Sequence, residues 1–267
     1  MRTYVLIDVT LLGELTNKPW LKRNRQPIWI APLYGRDAIE VSPVVIDVES
    51  AFKNDRTTAM MELVNARIPQ FGVSFIDSEL SLREMIQHLQ KFIFILTAEG
   101  EELTLRFADC LVLPALATTA TPEQWAALVA PFSSWKVHGR DGCLVNLPIK
   151  SGTGFEDTPL VFNDTQLAQL KEKMAVDQLL LHLKSTTPSK TSFLTTVKAY
   201  ELASIARQMW WEAGHEDGLE LVRFLSLVFD TKGRILDNST LPQSLKQKDY
   251  EALHLELARY SASHFHH

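Results

Sequence analysis

Ser134, His138 and Asp141 are the side chains whose types and close spacing could support hydrolysis. A serine, a histidine and an acid can supply a nucleophile, a base and a group that orients the base. Such a triad is assembled in space, and this segment lacks the Gly-x-Ser-x-Gly turn that exposes the serine in one large class of hydrolases. A turn-rich connection is the better interpretation of the segment. We therefore predict no catalytic residues, here or elsewhere in the chain.

The patterns for phosphate and metal chemistry are equally incomplete. Gly152 and Gly154 form a fragment of a phosphate-binding loop, but no Gly-Lys-Ser/Thr follows them, so a linker is the better interpretation. His215 precedes Glu216 and Asp217 without the His-Glu-x-x-His spacing of a zinc site. The scattered histidines His88, His182 and His254 show no metal-binding spacing either. We predict that the protein has no cofactor and no metal site.

The composition indicates an ordinary globular protein that stays in the cytoplasm. The chain has 267 residues, of which 46% are hydrophobic and 22% charged, and its formal net charge is -5. Without a basic surface, nucleic acid and anionic membranes are disfavoured as partners. No apolar run reaches the length of a membrane span or of a signal peptide. Cys110 and Cys143 lack the Cys-x-x-Cys spacing, so we expect reduced thiols rather than a disulfide framework.

Hydrophobic periodicity predicts a mixed α/β lobe that ends near Ile149. From Leu80, apolar residues recur every three or four positions, which indicates a helix that the Asp77-Ser78 pair can cap. Thr121, Pro122 and Gln124 form a capping-box arrangement at the start of a second helix. The predicted strands are Tyr4 to Val9, Val44 to Val48, Val73 to Ile76, a hairpin of Phe92 to Leu96 with Leu103 to Phe107, and Cys143 to Leu147.

The composition changes after residue 150, where a Gly-, Thr- and Pro-rich stretch follows Ser151. Beyond it, Asn163 and Gln166 predict a capped helix, and three more helical patterns follow, one of which should stop near Gly214. The predicted fold class is α/β (α+β), with a small sheet in the N-terminal lobe and a mostly helical C-terminal lobe. The domains are an α/β lobe at 1–150, a linker at 151–162 and a helical lobe at 163–267.

The block from Phe71 to Cys110 also carries a family pattern. Its elements are Phe71-Gly72 followed by Ser78, a helix that closes at Leu89-Gln90-Lys91, an acidic-Gly turn at Glu99-Gly100 and an Arg-Phe-x-Asp step from Arg106 to Asp109. The block resembles the core of the adaptor, or effector-chaperone, family of type VI secretion systems, and the resemblance extends from about residue 4 to 142. The chain departs from the family pattern after Asp109, where Cys110-Leu111 replaces Pro-Arg, and at Ala130, which replaces a glycine.

The resemblance implies a bacterial, cytoplasmic adaptor that is not an enzyme. Proteins of this family bind a secreted toxic effector, usually through its N-terminal region, and promote its loading onto the spike tip protein of the secretion apparatus. The N-terminal lobe would then carry shared contacts, and the helical lobe would select the cargo. Two alternatives remain open from the residues: a small hydrolase or transferase whose site is assembled only in three dimensions, and an immunity protein that neutralises a toxin.

Arg106 and Asp109 are candidate contact residues because the family pattern includes them. Residues three apart in a strand point to opposite faces, so these two can meet only if the chain bends after Phe107. We expect the strand to end near Ala108 and favour a structural ion pair over contact with a partner.

Three aromatic residues complete the candidate contacts for an effector or spike protein. Phe71 is more typical of a core than of a contact surface. Trp210 and Trp211 are adjacent in a predicted helix, so their side chains point about 100° apart. One of the two indoles could therefore be exposed and bind a partner.

Overall fold

The computed structural model describes residues 1–8, 28–65, 71–149, 160–187, 195–247 and 249–265. These residues form two compact units, Met1–Lys173 and Met174–His267. The first unit contains all of the described strands, and the second is built from helices. The predicted α/β class, with a mostly helical C-terminal region, is confirmed.

A six-stranded antiparallel sheet forms the centre of the first unit. Its strands are β1 (Arg2–Ile7), β2 (Ile30–Pro32), β3 (Val44–Asp47), β4 (Val73–Ser78), β7 (Phe132–His138) and β8 (Leu144–Asn146). Their order in the sheet is β2-β3-β1-β4-β7-β8. The central strand β1 is buried on both faces, because Tyr4 and Leu6 join one hydrophobic core while Val5 and Ile7 join another.

The predicted hairpin belongs to a second, three-stranded sheet. It comprises β5 (Phe94–Leu96), β6 (Glu102–Thr104) and β9 (Leu160–Val161) in the order β6-β5-β9, and β9 runs parallel to β5. Gly100 turns the hairpin with φ of 85°. The prediction that the second strand continues to about Ala108 is wrong. The strand ends at Thr104, because the chain turns at residues 105–107, where the Phe107 amide donates to the carbonyl of Leu105 at 2.9 Å.

Among the described residues of the first unit, five helices pack against these sheets. They are α1 (Val48–Lys53), α2 (Thr57–Val64), α3 (Leu82–Gln90), α4 (Val112–Thr119) and α5 (Pro122–Val129), and a 3-10 helix spans Arg36–Val41. The capping box at Thr121 is confirmed. The cap of α3 is Ser81 rather than Asp77-Ser78, because β4 extends through Ser78 and the Ser81 hydroxyl accepts from the Glu84 amide.

The helices of the C-terminal part surround a core that includes Trp210, Phe224 and Phe229. The predicted cap at Asn163 is present, since its side chain accepts from the Gln166 amide at 2.9 Å. The predicted stop at Gly214 also agrees with the structure, where the helix that begins at Thr196 ends at Glu212. The helices are α6 (Asp164–Thr186), α7 (Thr196–Glu212), α8 (Gly218–Asp230), α9 (Leu241–Ser244) and α10 (Tyr250–Phe265), with a 3-10 helix at Arg234–Asp237.

The division into units falls at Lys173, within α6, and so differs from the predicted linker at 151–162. Residues 150–159 lie outside the described residues. Residues 160–162 belong to the first unit, because Phe162 is fully buried in its core and its amide donates to the carbonyl of Leu96 at 2.8 Å. Among the helices described, none is both long and apolar enough to cross a membrane.

Candidate functional site

Arg106 forms an ion pair with an aspartate that sequence reasoning did not identify. Its Nη2 donates to Oδ2 of Asp8 at 2.8 Å, whereas Asp109 Oδ2 lies 3.9 Å away. Asp8 follows β1 directly, and its side chain is only 3% exposed, against 45% for Arg106. Burial opposes the charge of Arg106, but the hydrogen bond and charge of Asp8 outweigh burial and raise the pKa of the guanidinium. The signal in the sequence that could have identified Asp8 is an acidic residue directly after an apolar strand.

Asp109 has a different main role, at the start of α4. Its Oδ1 accepts from the Leu111 amide at 2.9 Å. The neighbouring Cys110 is buried, and its thiol donates to the carbonyl of Val73 at 3.2 Å. Burial raises the pKa of Cys110 to about 12, so the thiol stays protonated. The Arg106 to Asp109 step therefore joins the hairpin exit to β1 and β4 as a structural element.

Two of the predicted aromatic contacts are buried. Phe71 is 8% exposed in the core of the first unit. Trp210 is fully buried in the second unit, with its ring centre 4.3 Å from that of His215 and 5.8 Å from those of Phe224 and Tyr250. Within the described part of the chain, the Trp210 indole N–H meets no acceptor. Neither residue offers a surface that a partner could contact.

Trp211 has the opposite environment, as the 100° separation from Trp210 predicted. It is 43% exposed, and the guanidinium carbon of Arg207 lies 3.3 Å from the ring centre. That stacking holds the indole in place while leaving part of its surface open.

A cavity of about 420 Å³ lies beside this tryptophan, entirely within the second unit. Three helices line it, and we call it the Trp211 groove. The apolar side chain of Leu219, at its rim, is 62% exposed. Its main lining residues are Leu179 and His182 from α6, Arg207 and Trp211 from α7, and Leu219 and Val222 from α8.

The first unit contains a cavity of about 540 Å³ between the β2 region and α3. Its walls include Pro32, Tyr34, Ile39, Leu82 and Ile86. Burial, followed by the charge of Asp8, raises the pKa of Tyr34, so its phenol is neutral at physiological pH. This cavity offers a mostly apolar surface, and its polar lining includes Arg83, Gln87 and Gln90.

The residues of the possible triad have separate structural partners. Ser134 Oγ donates to Asp77 Oδ2 at 2.6 Å, His138 Nδ1 lies 2.9 Å from the carbonyl of Val73, and Asp141 accepts from the Cys143 amide at 2.9 Å. None of these contacts joins two members of the trio. Across the described ranges, no group of three or more His, Cys, Asp or Glu side chains could hold a metal ion.

Comparison with known proteins gives a family match for the N-terminal part of the chain. Residues 3–127 match the model of a domain of unknown function (DUF4123), which is 125 of 267 residues, just under half of the chain. No curated protein and no solved structure matches the chain. The matched segment contains Asp8, Phe71, Arg106 and Asp109. The Trp211 groove lies outside it.

Proposed function

We propose that this protein is an adaptor that binds a secreted toxic effector of a type VI secretion system and promotes its loading onto the spike tip protein. The observation that carries the proposal is the match of residues 3–127 to a domain family, together with the Phe71 to Cys110 pattern that resembles the type VI adaptor family. The matched family is described as a domain of unknown function. The proposed place of action is the bacterial cytoplasm.

The Trp211 groove is the proposed binding surface for the effector. Its wall on α6 runs from Ala175 to His182, which is about 10 Å of helix. A groove between helices with exposed apolar side chains suits an amphipathic helical segment, which would place its apolar residues against Trp211 and Leu219. Tryptophan is also the residue type most enriched among those that dominate binding energy. The proposed ligand is therefore a helical effector segment with one apolar stripe.

The proposal gives Arg106 and Asp109 a structural role in place of a contact role. Arg106 neutralises a buried carboxylate, and the Asp109 side chain accepts from the Leu111 amide just before α4, so both are already committed inside the first unit. Phe71 and Trp210 have no proposed contact role because they are buried.

The test is co-expression with a candidate toxin from the neighbouring reading frames, followed by purification of the complex. We expect Trp211→Ala to weaken effector binding by a factor of about 30, typical of a dominant contact residue. The matched control is Leu255→Ala, because Leu255 is an exposed apolar residue of the same unit, 54% exposed on α10. Both variants should melt like wild type. If Trp211→Ala folds and binds the effector as tightly as Leu255→Ala does, the groove is not the effector site.

The same complex distinguishes the adaptor from the two alternatives. An immunity protein would abolish the toxin's activity in the purified complex, whereas an adaptor that holds a targeting segment leaves the toxin domain active. Because the proposed mechanism contains no chemical step, screens with ester, phosphoester and peptide substrates should show no turnover. If one of these substrates is turned over and the turnover is lost when one polar side chain is replaced, the protein is an enzyme instead.

A further inference from the structure

The strand β8 (Leu144–Asn146) lies at one edge of the six-stranded sheet and pairs with β7. The Gly139 amide donates to the carbonyl of Cys143 at 2.8 Å, and the Leu147 amide donates to the carbonyl of Trp135 at 2.8 Å. These two bonds show which residues of the hairpin form hydrogen-bonded pairs. In an antiparallel pair such positions alternate. The amides and carbonyls of Leu144 and Asn146 therefore point away from β7, towards the outside of the sheet.

The side chains of β8 are unusually apolar for an outer strand. Leu144 is 50% exposed and Val145 is 48% exposed. Val145 lies opposite Val137, which is buried in the same hydrophobic core as Tyr4 and Leu6. Val145 therefore extends this face of the sheet to its edge. A partner strand placed beside β8 would cover this valine.

The other sheet edges among the described residues carry a proline, a charge or a covering side chain, whereas the protective feature of β8 is its short length alone. Natural proteins protect sheet edges with proline, charge or a covering side chain. Pro32 lies in β2, Glu102 lies on β6, and the Gln124 amide donates to the Val161 carbonyl of β9 at 2.6 Å. The sequence of β8 is Leu-Val-Asn, without proline or charge.

We propose that β8 pairs with β8 of a second copy of this chain, antiparallel and across a twofold axis at Val145. The outward-facing residues of β8 are two positions apart, so this register places Leu144 of each copy opposite Asn146 of the other. All four outward amides and all four outward carbonyls near the axis could then form hydrogen bonds. The two Val145 residues become a close pair without hydrogen bonds, whose side chains bury each other. The second copy fits because this register is self-complementary.

The resulting dimer joins two six-stranded sheets into one continuous sheet. Its interface is small, so we expect weak, concentration-dependent association with a dissociation constant of about 100 µM. The proposal does not depend on the proposed adaptor function, because it requires no effector.

Sedimentation of the full chain tests the pairing. The mass of wild type should rise from 30.2 kDa towards twice that value as the concentration passes about 100 µM. Leu144→Pro should abolish the rise, because it removes an outward amide and leaves the bonds to β7 intact. The matched control is Thr104→Pro, which changes an outward position of β6 and should associate like wild type. A wild-type monomer at about 1 mM, or a folded Leu144→Pro dimer, would overturn the proposal.

Cross-linking tests the register even if the proline variant fails to fold. In a Cys143→Ser background, Val145→Cys should form a disulfide-linked dimer under a mild oxidant, because facing residues of a pair without hydrogen bonds lie within disulfide reach. Asn146→Cys should not, since its counterpart across the axis would be Leu144. Equal cross-linking of the two variants would refute the register, and no cross-linking of Val145→Cys would refute the pairing.

Discussion

Two aspartates in the first unit illustrate how single buried carboxylates hold distant strands and loops together. Asp8 accepts from Arg106 at 2.8 Å, and Asp47 accepts from Arg2 at 3.0 Å, while both aspartate side chains are 3% exposed or less. A buried charge without a partner is costly, so each arginine stabilises the fold mainly by preventing that cost. Asp47 also accepts from the Ser50 amide at 2.9 Å.

We predict that Arg106→Ala lowers the free energy of unfolding by about 2 kcal/mol. The value lies between those of a surface pair and a fully buried pair, because Asp8 is buried while Arg106 is 45% exposed. Urea unfolding measures the change. The control is Lys198→Ala, since Lys198 and Glu201 form an ion pair in which both side chains are 52% exposed, and the expected change there is below about 0.5 kcal/mol. If Arg106→Ala melts like wild type and loses the effector, Arg106 is a contact residue.

His88 should make stability depend on pH. Burial is the main cause that lowers the pKa of His88 below its usual 6.5, and it outweighs the hydrogen bond to the Leu128 carbonyl. The folded state therefore favours the neutral ring. The contribution of this preference to the free energy of unfolding is complete above pH 6.5 and is lost as the pH falls towards the pKa of His88 in the folded state. Urea unfolding at pH 7 and pH 5 should show this loss for wild type and a smaller loss for His88→Gln. Equal losses in both proteins would remove His88 as the cause.

Local patterns in the sequence predicted individual elements better than their pairing. The helix from Leu82 and the hairpin followed from apolar spacing and from the Glu99-Gly100 turn. The position of β1 between β3 and β4, and the parallel pairing of β9 with β5, join segments far apart in the chain. Such pairing depends on the whole set of strands, which no local spacing encodes. The pairing of Asp8 with Arg106 was missed for the same reason, because the two residues are 98 positions apart.

The turn after α8 allows a test of backbone geometry. Gly233 has φ of 85°, and an added Cβ would lie 2.5 Å from Leu202 Cδ2. We predict that Gly233→Ala destabilises the protein by about 2–3 kcal/mol, from left-handed strain and crowding together. Gly100→Ala is the matched control, because Gly100 has the same φ but no neighbouring atom within 4 Å, and it should cost about 1 kcal/mol. If the two variants lose the same free energy of unfolding, the Leu202 side chain makes room for the added methyl group without cost.

For the molecule as a whole, the family match and the proposed effector surface lie in different units. The match ends at residue 127, and the Trp211 groove is formed by residues after Lys173. The sequence indicated that one tryptophan of the pair would be exposed, because helix geometry separates adjacent side chains. It could not indicate which one, since that depends on how α7 packs against α8 and α10. The groove itself is built by three helices and has no signature in any of them alone.

The last prediction is that the second unit selects the effector. A chimera should keep residues 1–173 of this chain, because residues 160–162 pack into the first unit, and continue with the helical unit of a relative that carries a different effector. The junction lies within α6, so the donor helix must be joined in register. We expect the chimera to bind the donor's effector in a pull-down and to lose this chain's own effector by at least about tenfold. The reciprocal chimera is the control, and circular dichroism must first show that both are folded. A folded chimera that still captures this chain's effector would place effector selection in the first unit, where the 540 Å³ cavity beside Tyr34 would then be the surface to mutate.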